Sequence, residues 1–137
     1  MSTQQQIAHP APTSDLDSAF YWEGLREHRI LVQRCTACSK FRFPPMPTCP
    51  YCASTERETV EVSGEGAVYS WIVVHRAFQE HFADDVPYTV ATVEFAEGPR
   101  VVGWLEDAPE VGPGLAVVPR FVDHESWTEL RFVPKED

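Results

Sequence analysis

The sequence lacks the segments that direct a chain into or across a membrane. No window approaches the run of about 18 apolar residues that a membrane-spanning helix needs. The opening residues, MSTQQQIAHPAPT, contain no basic segment followed by an apolar one, so we expect no signal peptide. The cytoplasm is therefore the expected location. In such a reducing compartment, the even number of cysteines in this chain indicates metal binding or catalysis before it indicates disulfides.

Basic side chains are scarce in the second half of the chain. Residues 58–137 carry five bases against sixteen acids, whereas residues 26–57 carry six bases against two acids. The first 25 residues add three acids and no base, which gives the net charge of -10. Binding to nucleic acids depends on the neutralisation of phosphates by Lys and Arg. The acidic second half therefore argues against a nucleic-acid partner.

The N-terminal part of the chain is predicted to form a tail and one helix. Residues 1–13 are polar and contain proline, which suggests a flexible tail. Over residues 14–29, apolar side chains recur at roughly helical spacing, and Ser14 with Asp17 has the spacing of a capping box. The next segment, residues 30–57, contains all four cysteines.

The remaining residues, 58–137, show the pattern of a small β-barrel. Short runs rich in valine, threonine and aromatic residues alternate with turn signals, and no helical period lies between them. If Thr59–Val62 and Val68–Val74 form one strand bent at Gly64 and Gly66, the strands number five. Five antiparallel strands favour a barrel of the OB type, although a sandwich stays open because periodicity does not give strand order. The predicted fold class is therefore mainly β, with an N-terminal helix, a four-cysteine ribbon and a five-stranded barrel.

The four cysteines form two Cys-x2-Cys pairs with ten residues between them. Each pair can form a tight knuckle with both thiolates on one side, and two facing knuckles complete a tetrahedral site of four sulfur atoms. Four thiolates leave no open coordination position, so such a site is structural and not catalytic. Metal binding would supply the folding energy that so short a segment lacks. The sequence therefore predicts one structural zinc ion held by Cys35, Cys38, Cys49 and Cys52.

Four cysteines have three other possible uses. Two disulfides are disfavoured because the chain shows no secretion features. A thioredoxin-like redox pair at Cys49 and Cys52 is disfavoured because a proline-rich loop, not a βαβ strand, precedes it. Iron suits a tetrahedral thiolate site as zinc does, so it stays open as the alternative metal.

Longer segments around the cysteines resemble the DUF35 family of zinc-ribbon and OB-fold proteins. The matching segments are Phe20–Leu31 (FYWEGLREHRIL), Val32–Cys52, Gly64–Arg76 (GEGAVYSWIVVHR), Pro87–Gly98 (PYTVATVEFAEG) and Gly114–Asp123. The resemblance implies a non-catalytic accessory subunit of a thiolase-like acyl-CoA enzyme, which is a thiolase, a synthase or a retro-aldolase. It also implies that the barrel helps to shape the channel for the acyl-CoA pantetheine arm, in lipid or steroid side-chain metabolism.

The resemblance also draws attention to side chains that could contact coenzyme A or the partner enzyme. The basic ribbon could hold phosphates or face an acidic partner, and it could equally be a solvated surface; its candidates are Arg34, Lys40 and Arg42. The loop between Val74 and Tyr88 is long and aromatic, which is typical of functional loops, although it could simply cover one barrel end. The candidates in and beside this loop are His75, Arg76, Phe82 and Tyr88.

No group of residues in the sequence has the arrangement that independent catalysis requires. The cysteines are assigned to the metal, and nothing fixes the relative geometry of His75, His81 and the acids Asp84 and Asp85 within their loop. We therefore predict that the chain is not catalytic alone. The alternative function is binding of single-stranded nucleic acid, since both ribbons and OB barrels bind single strands. This alternative is disfavoured because the chain lacks a basic barrel surface that would follow the phosphate backbone.

Overall fold

The computed structural model describes residues 9–136. It contains one α-helix, a three-stranded sheet and a closed five-stranded barrel. Of the predicted tail, residues 1–13, the first eight lie outside the described residues. Residues 9–13 form neither helix nor strand. Within residues 9–136, no helix has the length and apolar character needed to cross a bilayer.

The helix, α1, covers Ala19–Arg26 and is shorter than the predicted span of residues 14–29. Before it, the backbone N–H of Ser18 donates to Asp15 Oδ1 at 2.8 Å, one residue later than the predicted capping pair. The helix ends because His28 adopts a left-handed φ of 58°, which reverses the chain into the first strand.

The cysteine-containing segment forms an antiparallel sheet of three strands. These strands are β1 (Ile30–Cys35), β2 (Phe41–Arg42) and β3 (Arg57–Val62), in the order β2-β1-β3. Residues 59–62, which the sequence pattern places in the barrel segment 58–137, lie in β3, and β3 pairs along its whole length with β1. The pairing is favoured by burial, since Ile30 and its partner Val62 are both buried.

The barrel confirms the predicted OB-type architecture with five strands, and it excludes the sandwich. Its strand order is β4-β5-β6-β8-β7, and pairing of β4 with β7 closes it. The strands are β4 (Gly66–Val74), β5 (Tyr88–Phe95), β6 (Arg100–Leu105), β7 (Ala116–Asp123) and β8 (Thr128–Pro134). All pairs are antiparallel except β6 with β8, which meet in parallel at Leu105 and Phe132.

One hydrophobic core runs from the helix through the ribbon sheet into the barrel. The barrel interior includes the fully buried Val93, Val117 and Phe132, and the cluster continues to Leu25 of α1 and Ile30 of β1. Such continuous packing fixes how the ribbon is oriented on the barrel, because protein interiors tolerate few voids.

Candidate functional site

The two cysteine knuckles have the same local geometry. The first knuckle follows β1, and the N–H of Ser39 donates to the carbonyl of Cys35 at 2.8 Å; in the second, the N–H of Ala53 donates to Cys49 at 2.9 Å. Ser39 and Ala53 each follow the second cysteine of a pair, and both adopt left-handed φ values, 66° and 63°. Two equivalent turns therefore present their thiols toward each other.

The sulfur atoms are spaced as a tetrahedral metal site requires. The Sγ atoms of Cys35 and Cys52 are 3.6 Å apart, and so are those of Cys38 and Cys49. All four sulfurs lie within 4.8 Å of one another. Four ligands at about 2.3 Å from one ion would be separated by about 3.8 Å, whereas a disulfide needs about 2 Å. The four cysteines thus form a metal site, and the donor set fits a closed tetrahedral ion.

Backbone amides favour the thiolate form at two of these cysteines. The N–H of Cys38 is the main cause that lowers the pKa of Cys35. Burial raises the pKa of Cys49. Hydrogen bonds from the N–H groups of Tyr51 and Cys52 and from the neighbouring thiols outweigh burial and bring that pKa down to about 6. The N–H of Ser54 lowers the pKa of Cys52, but burial and the other sulfurs outweigh it and raise that pKa to about 11. The knuckles therefore hold part of the negative charge that a cation would neutralise.

A cavity of about 570 Å³ separates the ribbon from one side of the barrel. On the ribbon side, the Lys40 ammonium lies 4.5 Å from the ring centroid of Tyr51. On the barrel side, Arg100 lies 3.8 Å from the ring of Tyr69 and donates to Glu94 at 2.9 Å. The lining residues are Ser39, Lys40, Phe41, Arg42, Phe43, Met46, Pro50, Tyr51, Glu94, Gly98, Pro99 and Arg100.

The structure brings together two of the three basic residues proposed for the ribbon. Lys40 and Arg42 line the cavity, whereas Arg34 does not and instead lies 3.5 Å from Glu58. Arg42 is buried, and its Nε donates to Oε1 of the buried Gln33 at 3.0 Å. Among the described residues, its two terminal nitrogens have no hydrogen-bond partner. Sequence reasoning treated Arg42 as a surface charge and had no signal that it is buried.

The four candidates of the long loop separate into two groups. Phe82 and Tyr88 join an aromatic cluster around Trp104, with the rings of Tyr88 and Trp104 stacked at 4.3 Å. His75 and Arg76 are exposed and take no part in that cluster. The cluster also contains His9, whose ring lies 4.9 Å from that of Phe82. His9 has no periodic signal in the sequence and lies in the segment predicted to be a tail.

Strand β4 carries an exposed apolar surface, here called the β4 edge and defined as residues 69–73. These five consecutive residues are exposed and include Trp71, Ile72 (63% exposed) and Val73. Within residues 9–136, β4 pairs with β7 only through Gly66 and Ala67, whereas it pairs with β5 as far as Val74. The β4 edge therefore offers both apolar side chains and backbone groups that no second strand covers.

Two family models match the chain in succession. Residues 22–57 match the ChsH2 rubredoxin-like zinc ribbon domain, and residues 59–122 match the ChsH2 C-terminal OB-fold domain. A solved structure described as "Ltp2-ChsH2(DUF35) aldolase" is similar, with a TM-score of 0.80 and 39% identity. The match covers 90% of this chain and 98% of that one.

Two curated relatives are longer than this chain. The probable enoyl-CoA hydratase alpha subunit of Thermomonospora curvata is 44% identical over 75% of this chain, which spans only 33% of that protein. The benzoylsuccinyl-CoA thiolase subunit BbsA of Thauera aromatica is 31% identical over 56% of this chain, which spans 51% of that protein.

Proposed function

Because this chain belongs to the DUF35 family, we propose that it is a non-catalytic accessory subunit of a thiolase-like acyl-CoA enzyme. The enzyme would be a thiolase, a synthase or a retro-aldolase. The relatives support this proposal, since one is a thiolase subunit and the similar solved structure is described as an aldolase with two named components. Lipid or steroid side-chain breakdown is the proposed metabolic setting.

The observation that carries the proposal is the β4 edge. Five consecutive exposed residues with three large apolar side chains are unusual for the surface of an isolated soluble domain. Large aromatic and aliphatic side chains of this kind supply most of the binding energy at protein interfaces. The strand also has uncovered backbone donors and acceptors, to which a partner strand could pair. We propose that the thiolase-like subunit covers this edge.

The metal is proposed to be zinc with a structural role. Four thiolates suit zinc, and their closed tetrahedron leaves no position for a substrate. Cys35, Cys38, Cys49 and Cys52 would hold the ion, which would keep the two knuckles together beside the barrel. Because thiolate ligands need a reducing compartment, the cytoplasm is the proposed location.

The cavity between ribbon and barrel is the proposed contribution to the acyl-CoA channel. Lys40 and Tyr51 offer a cation and an aromatic face, which suit a phosphorylated nucleotide. The apolar walls, with Phe41, Phe43 and Met46, suit the pantetheine arm. Of the loop candidates, Phe82 and Tyr88 pack in the aromatic cluster around Trp104. The exposed His75 and Arg76 are the proposed partner contacts.

The test is to co-express the full chain with thiolase-like proteins from the same organism. Light scattering after size-exclusion chromatography should show a complex that contains both chains. Acyl-CoA turnover should require the thiolase-like subunit and should be absent with this chain alone. Turnover by the isolated chain would contradict the non-catalytic role, and two separately eluting proteins would contradict the partnership.

A further inference from the structure

A second group of potential metal ligands lies outside the ribbon. His9, His124 and Glu129 each offer a ligand atom, and these atoms lie within 4.8 Å of one another. The three side chains come from separate parts of the chain. His9 precedes α1, His124 follows β7, and Glu129 belongs to β8. Two imidazoles and one carboxylate are the ligand set of many zinc sites that bind through three side chains.

A carboxylate outside the group orients the His9 ring, whereas the His124 ring contacts Glu129 of the group itself. His9 Nε2 lies 2.8 Å from Asp85 Oδ2, and His124 Nε2 lies 2.9 Å from Glu129 Oε1. A carboxylate that accepts from one ring nitrogen fixes the ring and leaves the other nitrogen with its lone pair. The contact between His9 and Asp85 is therefore the kind of outer-shell support that metal-binding histidines possess.

The packing around the group restricts the movement of its histidines. The His9 ring packs against both Phe82 and Trp104, at centroid distances of 4.9 and 5.3 Å. The His124 ring stacks on Trp127 at 4.5 Å. The side chains of His9, His124 and Glu129 are 16%, 25% and 15% exposed, so the group is held in place but is not sealed from solvent. Ligands that packing holds close together lose little entropy when an ion binds.

The charges around the group are balanced. Glu129, Asp85 and Glu106 are the surrounding acids, and Arg131, Arg120 and Arg26, which donates to the carbonyl of His124, are the bases. Arg131 Nη2 donates to Glu129 Oε1 at 2.8 Å. That contact uses one carboxylate oxygen and leaves Oε2 for another partner. The guanidinium also orients the carboxylate, as the partners of metal-ligating acids do.

We propose that His9, His124 and Glu129 form a second metal site, which binds one divalent ion of the zinc type. A tetrahedral ion with ligands at about 2.1 Å would separate the ligand atoms by about 3.4 Å. No pair of these atoms is more than 4.8 Å apart, and the ion would replace the direct contact of His124 Nε2 with Glu129 Oε1, now 2.9 Å long. Three protein ligands leave a fourth position for water, in contrast to the closed four-thiol site. The bound ion would also fasten the segment that contains His9 to the turn between β7 and β8. The inference does not depend on the proposed partner enzyme.

The experiment measures zinc bound to the full chain. After equilibration with micromolar zinc and removal of the excess, elemental analysis should find two zinc ions per wild-type chain. We expect one ion per chain in His9→Ala and in His124→Ala. Asp85→Asn should keep the ligands but lose outer-shell support, and we expect affinity for the second ion to fall about 10–100-fold by calorimetric titration.

The control is His75→Ala, which removes an exposed histidine outside the group and should retain two ions. Cobalt titration of protein with zinc in the cysteine site should add no thiolate–cobalt absorption, because the second site has no sulfur ligand. His9 belongs to no helix or strand, so His9→Ala should fold even if His124→Ala does not. One zinc per wild-type chain, or two in His9→Ala, would overturn the proposal.

Discussion

Arg26 of α1 donates from Nη2 to the backbone carbonyl of Glu125 at 2.7 Å, across 99 positions of the chain. Its Nη1 donates to the carbonyls of His124 and Trp127, at 2.9 and 3.2 Å. One guanidinium therefore holds three carbonyls of the turn between β7 and β8. This contact fastens the helix to the barrel.

Replacing Arg26 should loosen this attachment. Arg26→Ala removes three hydrogen bonds from a charged donor, and we expect the free energy of unfolding to fall by about 1 kcal/mol. Arg26→Lys should recover only part of the loss, because an ammonium cannot reproduce the planar fork of the guanidinium. Urea denaturation measures both. Arg29→Ala is the matched control, since it removes only exposed ion pairs and should cost less; an equal loss would contradict the role of Arg26.

Gly64→Ala should be among the most destabilising single changes at the junction of ribbon and barrel. Gly64 has φ of +80°, and an added Cβ would lie 2.5 Å from Ile30 Cδ1 and 2.8 Å from Pro119 Cγ. Backbone strain of about 1–2 kcal/mol adds to overpacking of about 1–3 kcal/mol. Gly114→Ala separates the two effects, since φ there is +86° and nothing lies within 4 Å. Equal losses in thermal denaturation would mean that the contacts with Ile30 and Pro119 contribute nothing.

Tyr21 should make the protein less stable at alkaline pH. Burial raises the pKa of Tyr21 above its usual value near 10. The unfolded chain can then release this proton at a pH where the folded chain retains it. The stability contribution is complete below about pH 10 and falls above it by up to about 1.4 kcal/mol per pH unit. Tyr21→Phe should remove this part of the slope in urea denaturation, whereas Tyr51→Phe, at a 62% exposed tyrosine, should not.

Loss of one thiol should remove the metal and unfold the ribbon. Cys35→Ser replaces a buried ligand with a hydroxyl that binds zinc poorly. Metal binding contributes about 10 kcal/mol or more to small zinc domains, which is comparable to the whole stability of a typical domain. Elemental analysis should find one zinc ion fewer per chain than in the wild type, and circular dichroism should show a loss of ordered structure. Thr36→Ala changes an exposed residue of the same knuckle and should keep the wild-type zinc content. A Cys35→Ser chain with undiminished zinc content would refute the four-thiol assignment.

A charge on the β4 edge should prevent assembly with the partner without unfolding the chain. Ile72→Asp places a carboxylate on a side chain that is 63% exposed here and would be buried in the complex. We expect the partner affinity to fall about 30-fold or more, as for a central interface residue. Leu16→Asp, at a side chain that is 99% exposed outside the strand, should bind normally. Equal affinities in surface plasmon resonance would show that the partner docks elsewhere.

The metal site and the barrel were the parts most open to prediction from the sequence. Cysteine spacing determines knuckle geometry locally, and alternating apolar runs give the number of strands. The position of β3 was not predictable in this way, because Thr59–Val62 has the same strand pattern whichever sheet it joins. Its place was decided by long-range pairing with β1.

Residues that depend on distant contacts were missed. His9 lies in a polar segment with no period, yet its ring packs against Phe82 and Trp104. Arg42 was grouped by charge with Arg34, although only Arg42 is buried. The roles of His75 and Arg76 stay predictions, and single-stranded nucleic-acid binding stays the disfavoured alternative.

The uncovered edge of β4 also bears on how the cell must supply this protein. A free strand with apolar side chains can pair with another copy of itself, so chains made in excess of their partner are exposed to aggregation and to quality-control proteases. The lifetime of the subunit would then follow the abundance of the enzyme that covers it. The uncovered strand would therefore require the cell to synthesise the two proteins in matched amounts.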